Sequence, residues 1–212
     1  MLNSNNDYFP VEPWFPIPLY INRVRQQHFD GIQEDFQRVA DTLKADDAFK
    51  YREDWNSHKT SDPTFTKNLF EEHNLTLFQK ELDEHIFAYL QMINSPVIKK
   101  EETFKYRIFG SWMTLSNNKD YAHIHTHGSS DLSGVYYFQT NGKDGDIFFE
   151  NPTKYLENSY CFSHISSRAT WKPEVGKLIL FPGWLPHGVT TNTTNHERIS
   201  VSFNILFERN YG

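Results

Sequence analysis

The spacing of apolar residues changes near residue 102. Before it, two stretches follow a helical period. Residues 29–44 carry Ile32, Phe36, Val39, Ala40 and Leu43 on one stripe, and residues 74–93 carry Leu75, Phe78, Leu82, Ile86, Leu90 and Ile93. Apolar positions three and four apart share a helix face, so both stretches predict helices with one buried side. Asn94, Ser95 and Pro96 end the second one, because proline lacks an amide donor and disfavours helix in the residue before it. Residues 8–20 hold four prolines among aromatics. That composition predicts an extended entry, with an edge strand or cover over residues 14–24. Residues 50–68 are polar and irregular and read as a loop over an active site.

After residue 102 the period shortens to two. Phe104, Tyr106 and Ile108 alternate with Lys105 and Arg107, the pattern of a half-buried strand. Further strands are expected at 111–116, 122–126, 131–139, 145–150, 159–165, 177–181, 187–191 and 197–207. Clusters such as Asn117-Asn118, Gly142 to Gly145 and Pro182-Gly183 separate them. Many short strands at this spacing predict a sandwich, barrel or jelly roll, with the earlier helices packed on one face.

Composition narrows the picture. The 212 residues suit one domain. A hydrophobic content of 38% with 16% aromatics is enough for a packed interior and argues against disorder. The net charge is −6, and Lys99-Lys100 sit beside Glu101-Glu102. There is thus no strong nucleic-acid signal, which would need a concentrated basic face. A lone cysteine, Cys161, cannot form an internal disulfide and reads as a small buried hydrophobe in a reducing compartment. The first ten residues show no basic or apolar leader, and no apolar run approaches the ~20 residues of a membrane span. The expectation is a cytoplasmic protein with no membrane contact; oligomeric state is not written in the pattern.

Three features carry chemistry. His123, His125 and His127 alternate within residues 121–138. Side chains two apart on a strand point the same way, so two or three imidazoles can meet on one metal ion. His187 follows the strand 177–181 and the Pro182-Gly183 turn, and a distant third ligand suits a facial site with open positions. Arg198 and Ser200 share a strand face, where a guanidinium beside a hydroxyl can grip a carboxylate. Trp112, Trp171 and Trp184 are candidates for the cleft wall.

Together these parts resemble the Fe(II)/2-oxoglutarate-dependent oxygenase superfamily. More narrowly, they resemble a group of oxygenases in marine bacteria and their phages. That group has His-x-His before a Leu-Ser-Gly-x-Tyr-Tyr strand, then Phe-Pro with a late His, and Arg-x-Ser. The counterparts here are His125 and His127, Leu132 to Tyr137, Phe181-Pro182 with His187, and Arg198 with Ser200. The resemblance covers about residues 105–207 and implies a double-stranded β-helix of jelly-roll, cupin-like form, mainly β with supporting α-helices. One oxygenase domain over 1–212 follows, with 1–100 as N-terminal support and 101–208 as the β-core. It implies Fe(II) as cofactor and 2-oxoglutarate as co-substrate, whose oxidative decarboxylation drives substrate hydroxylation. His125, His127 and His187 would be the metal ligands, with no further catalytic residue assigned. Arg198, Ser200 and Tyr137 would hold the distal carboxylate of 2-oxoglutarate, and Tyr136 would face the core.

The superfamily pattern usually places Asp or Glu where His127 stands. Asp131 or Glu150 could supply the acid instead, and His123 could support a ligand, contact the substrate, or take His125's role if the register is shifted by two. The substrate is left as a small molecule or a peptide side chain. Two other readings compete. A cupin-like three-His dioxygenase would not use 2-oxoglutarate and would keep Arg198 away from the metal. A non-catalytic jelly-roll interaction module would leave the His and Arg residues scattered.

Overall fold

The computed structural model describes residues 17–51, 58–62, 64, 66–97, 105–153 and 168–208. The chain enters through strand β1 (Tyr20–Arg23) and helix α1 (Gln26–Ala45). The short strands β2 (Lys50–Tyr51) and β3 (Lys59–Thr60) follow, then helices α2 (Leu69–Glu72) and α3 (Thr76–Met92). Eight strands complete it: β4 (Tyr106–Ser116), β5 (Ala122–His125), β6 (Leu132–Gln139), β7 (Ile147–Glu150), β8 (Arg168–Trp171), β9 (Lys177–Pro182), β10 (His187–Val189) and β11 (Arg198–Phe207).

Two antiparallel sheets form. The larger has the order β1-β9-β6-β11-β4-β3-β2, and the smaller β5-β10-β7-β8. This is the double-stranded β-helix, as expected. Period-two alternation gives the larger sheet two different faces. One set, including Tyr136, Phe138, Leu178, Leu180, Ile199, Val201 and Phe203, packs with Ile32, Phe36, Val39, Phe78, Leu82 and Ile86 of the helices. The other set, Val135, Tyr137, Ile179 and Phe181, meets Ile147 and Phe149 of the smaller sheet. Phe36 stacks on Tyr136 at 5.3 Å between ring centroids. Both expected helices thus lie on the outer face of the larger sheet, and the cavity lies between the sheets.

Several expectations change in detail. Residues 104–108 and 111–116 do not form two strands; Tyr106–Ser116 is one strand that runs through Gly110. A bulge opposite Asn204 and Ile205 absorbs the irregularity, because Asn204 faces Gly110 and Ile205 faces Ile108. The edge strand expected over 14–24 is β1, paired with β9. The stretch 50–68 is not wholly irregular, since β3 extends the larger sheet by pairing with β4. The strand expected at 159–165, with Cys161, lies outside the described residues. A strand that was not anticipated, β8, pairs with β7. Its four residues carry too short a pattern to be told from a loop.

Candidate metal centre and co-substrate pocket

The smaller sheet brings the imidazoles together. β10 lies between β5 and β7, so His187 is the direct cross-strand partner of His125. Their ring centroids are 4.3 Å apart. His127 lies just beyond β5, and its amide donates to the carbonyl of Gly183 at 2.7 Å. The turn that delivers His187 therefore also fixes His127. Gly183 is needed there, since a Cβ would sit 2.0 Å from Ser130 Oγ. The three residues offer ligand atoms that all lie within 4.8 Å of one another.

Backbone carbonyls set the tautomers of two rings. His125 Nδ1 lies 2.7 Å from the carbonyl oxygen of His123, and His187 Nδ1 lies 2.9 Å from that of Leu185. A carbonyl only accepts, so each Nδ1 carries the hydrogen and the lone pair is on Nε2, the atom a metal would bind. Burial favours neutral rings. It pulls the His127 pKa down to about 3, helped by His125. His187 is pushed well below the usual value by burial and by both neighbouring imidazoles. Burial also lowers His125, against the raising effect of the His123 carbonyl. Neutral imidazole is the ligand form.

The larger sheet supplies the opposite wall. On β11, Arg198, Ser200 and Ser202 line the cavity while Ile199 and Val201 face the helices. Register places Thr114 on β4 and Tyr137 on β6 to either side of Ser200. Arg198 is 2% exposed. Its Nη1 donates to the carbonyls of Asp144 (3.2 Å) and Gly145 (2.8 Å). Gly145 has φ +108, and a Cβ there would sit 2.5 Å from the Thr190 carbonyl and 3.0 Å from Arg198 Nη1. Among the described residues, Arg198 Nε has no hydrogen-bond partner. A buried guanidinium with an unsatisfied N–H is costly alone and is suited to a carboxylate. Burial lowers the Arg198 pKa, while Tyr137 and nearby acids act against it. The Tyr137 pKa is raised by burial, so its phenol stays protonated and can donate. These residues fit an Fe(II) ion at the His end and a dicarboxylate reaching to Arg198.

The expected residues separate clearly. His125, His127, His187, Arg198, Ser200 and Tyr137 all line this one cavity. Such convergence opposes the scattered set of an interaction module, and Arg198 in the cavity opposes a cupin-like site without 2-oxoglutarate. Tyr136 is in the helix-facing core, as expected. The alternative acids are engaged elsewhere. Asp131 accepts from the Phe207 amide at 2.9 Å, and Glu150 pairs with Arg168. His123 is exposed and its ring packs on Tyr121. Trp112 lines the cavity, its ring 5.9 Å from that of His127. Trp171 packs on Phe149 instead, and Trp184 is 52% exposed outside the lining. The sequence reading missed Thr114, Ser202 and His58, all in the lining. Alternation along β4 and β11 could have revealed the first two. His58 reaches the site only by folding, with Nδ1 3.2 Å from the Tyr121 carbonyl.

Residues 110–204 match the family model described as "Putative 2OG-Fe(II) oxygenase". Within that stretch the chain resembles the 2OG-Fe(II) oxygenases. No curated protein sequence matches it. Among solved structures, it resembles a Pseudomonas putida prolyl-4-hydroxylase, with a TM-score of 0.58, 13% identity and coverage of 91% of this chain and 93% of that one. It also resembles SnoK, the non-haem α-ketoglutarate-dependent carbocyclase of nogalamycin biosynthesis (TM-score 0.62, 9% identity, 89% and 79% coverage). A third is a Trichoplax adhaerens prolyl hydroxylase in complex with a peptide fragment of hypoxia-inducible factor (TM-score 0.55, 11% identity, 89% and 82% coverage). At these identities the structural likenesses speak for the fold alone. No described helix is long and apolar enough to cross a membrane.

Proposed function

We propose that this protein is a 2-oxoglutarate-dependent oxygenase that holds Fe(II) through His125, His127 and His187, anchors the distal carboxylate of 2-oxoglutarate with Arg198, Ser200 and Tyr137, and hydroxylates a small molecule or a peptide side chain. One observation carries this reading. Three imidazoles, His187 buried and His125 and His127 half-buried, offer ligand atoms within 4.8 Å of one another in a cavity that also buries a guanidinium with an N–H that has no partner among the described residues.

When bound, Fe(II) with dioxygen supplies the redox chemistry, in which 2-oxoglutarate loses carbon dioxide to become succinate and one oxygen atom passes to the substrate. The chain's own residues do the remainder. The carbonyls of His123 and Leu185 keep two imidazoles in the ligating tautomer. Arg198, already held by the Asp144 and Gly145 carbonyls, is pre-oriented to receive a carboxylate. Trp112, Val135, Ile147, Phe181 and Val189 wall the cavity and exclude water. A single domain over 1–212 is part of the proposal, supported by helices from before residue 101 sharing one core with the β-strands. Cytoplasmic action and a phage origin also belong to it, supported by the single cysteine and by the resemblance in motif.

Calorimetry tests the assignment. Mn(II) should bind once per chain, and N-oxalylglycine should then bind the loaded protein. Arg198→Ala should weaken N-oxalylglycine by about 30-fold or more, since truncating one partner of a buried charge pair costs about 2 kcal/mol or more. Unchanged affinity in that variant would sink the co-substrate assignment.

A further inference from the structure

The three imidazoles are held in two different ways. The carbonyls of His123 and Leu185 grip the rings of His125 and His187 through Nδ1. Among the described residues the His127 ring has no such bond, and it packs on Trp112, His125 and His187. His127 also lies past the end of β5. What holds it is its main chain. Its N–H donates to the Gly183 carbonyl at 2.7 Å, and its carbonyl accepts from the Ser130 amide (2.8 Å) and from Ser130 Oγ (2.7 Å). From there a polar chain leads inward. Ser130 Oγ lies 2.9 Å from Ser133 Oγ, which lies 2.8 Å from Asn204 Oδ1. Ser133 on β6 and Asn204 on β11 are direct cross-strand partners. Ser130, Ser133 and Asn204 are all buried.

This chain has three side-chain links. Each serine hydroxyl brings one hydrogen to them, and the His127 carbonyl brings none. With Asn204 Oδ1 against Ser133, two hydrogens must serve three links, and at one of them two oxygens face each other bare. Such a gap is costly away from water. A half-turn of the amide places Nδ2 against Ser133, and every link then has its hydrogen. Among the described residues Nδ2 has no other partner, so the half-turn breaks no other bond. We propose that Asn204 presents its amide nitrogen to Ser133 and acts, through Ser133 and Ser130, as the positioning residue for His127, an inference that rests on the metal reading above. The hydrogens then all run one way, from Asn204 to Ser133, to Ser130, to the His127 carbonyl. An imidazole with no bond on its own ring depends on its backbone to keep a nitrogen aimed at the metal. The chain from Asn204 does for His127 what the two carbonyls do for its neighbours.

The test uses the full chain. Calorimetry follows Mn(II) binding, and the visible spectrum of the Co(II)-loaded protein reports ligand geometry. Ser130→Ala, Ser133→Ala and Asn204→Leu should each weaken Mn(II) about tenfold and alter the Co(II) bands in the same way. The double variant Ser130→Ala/Asn204→Leu should lose no more than the larger single loss, because one chain is cut twice. Asn204→Asp separates the two amide orientations. A carboxylate only accepts, so it draws the Ser133 hydrogen to itself and reverses the chain. Its Co(II) spectrum should therefore match that of Ser130→Ala, and a wild-type spectrum in Asn204→Asp overturns the proposal. Wild-type Mn(II) affinity in Ser130→Ala and Ser133→Ala overturns it, as do additive losses in the double variant. In each of these cases the wild type still binds Mn(II), so the metal reading stands. A wild type that binds no Mn(II) sinks both. Should Asn204→Leu not fold, Ser133→Ala removes a single oxygen, cuts the same chain and decides.

Discussion

Two clusters of histidine in this molecule have opposite fates. Between β1, α1 and α3, the fully buried Glu81 accepts from the Arg25 amide (2.6 Å), Arg25 Nε (2.9 Å), His28 Nδ1 (2.6 Å) and His85 Nε2 (3.2 Å). His85 Nδ1 in turn meets the Tyr20 hydroxyl at 2.7 Å. Two imidazoles and a carboxylate are the composition of the usual facial iron triad. Here, however, the carboxylate is consumed by donors and caps the start of α1 from another helix. Burial alone would raise the Glu81 pKa, but the bonds from His28 and Arg25 and the Arg25 charge hold it down at about 2. In the cavity, by contrast, three imidazoles offer ligand atoms within 4.8 Å of one another, with no acid among the described lining residues. A donor set becomes a metal site when its lone pairs converge on space. Where they converge on hydrogen-bond donors, the same residue types make a strut.

The sharpest way to break this comparison is ligand removal. His187→Ala should lose Mn(II) affinity by more than about 100-fold, beyond the loss typical of a supporting residue, whereas His85→Ala should leave stoichiometry and affinity unchanged by calorimetry. Next, Glu81→Gln should cost about 3 kcal/mol, a fall of roughly 6–12 °C in Tm, because it strands buried donors that needed an anion. Metal binding in that variant should persist at low temperature.

Acid titration distinguishes the two clusters further. Glu81 titrates at 4.5 in its ordinary state and at about 2 in the fold. Its carboxylate therefore contributes fully above pH 4.5, and that stability is lost as pH falls from 4.5 toward 2. Denaturant unfolding of the wild type should steepen in this window, and Glu81→Gln should flatten it. An equally steep Glu81→Gln profile would assign acid sensitivity elsewhere. The smallest effects compare the two faces of β6. Tyr136→Phe loses the bond from Gln33 and should cost about 1 kcal/mol of stability without touching co-substrate affinity. Tyr137→Phe should do the reverse, weakening N-oxalylglycine by about fivefold.

Much of the site was legible because strands translate sequence into geometry simply. Two-residue periodicity put His125 and His127 within reach of one point, and Arg198 and Ser200 on one face. It also sent Tyr136 and Tyr137 to opposite sides. Helix boundaries fell within a few residues of those expected, since amphipathic stripes are long and self-reinforcing. The bulge in β4, the four-residue β8 and the arrival of His58 were not legible. Each depends on a partner strand distant in sequence. Trp171 and Trp184 were equally ambiguous, because an aromatic side chain suits a core, a rim or a cleft.

By itself the sequence determined the alternation of the strands, the two helical stripes and the set of imidazoles and cations available to a site. Those are local properties, set by backbone period and side-chain chemistry. Tertiary structure decided which acids remained near the metal. It tied Asp131 to the Phe207 amide, Glu150 to Arg168 and Glu81 to Arg25, His28 and His85. A carboxylate follows whichever donors the fold brings to it, and those donors come from distant strands and helices.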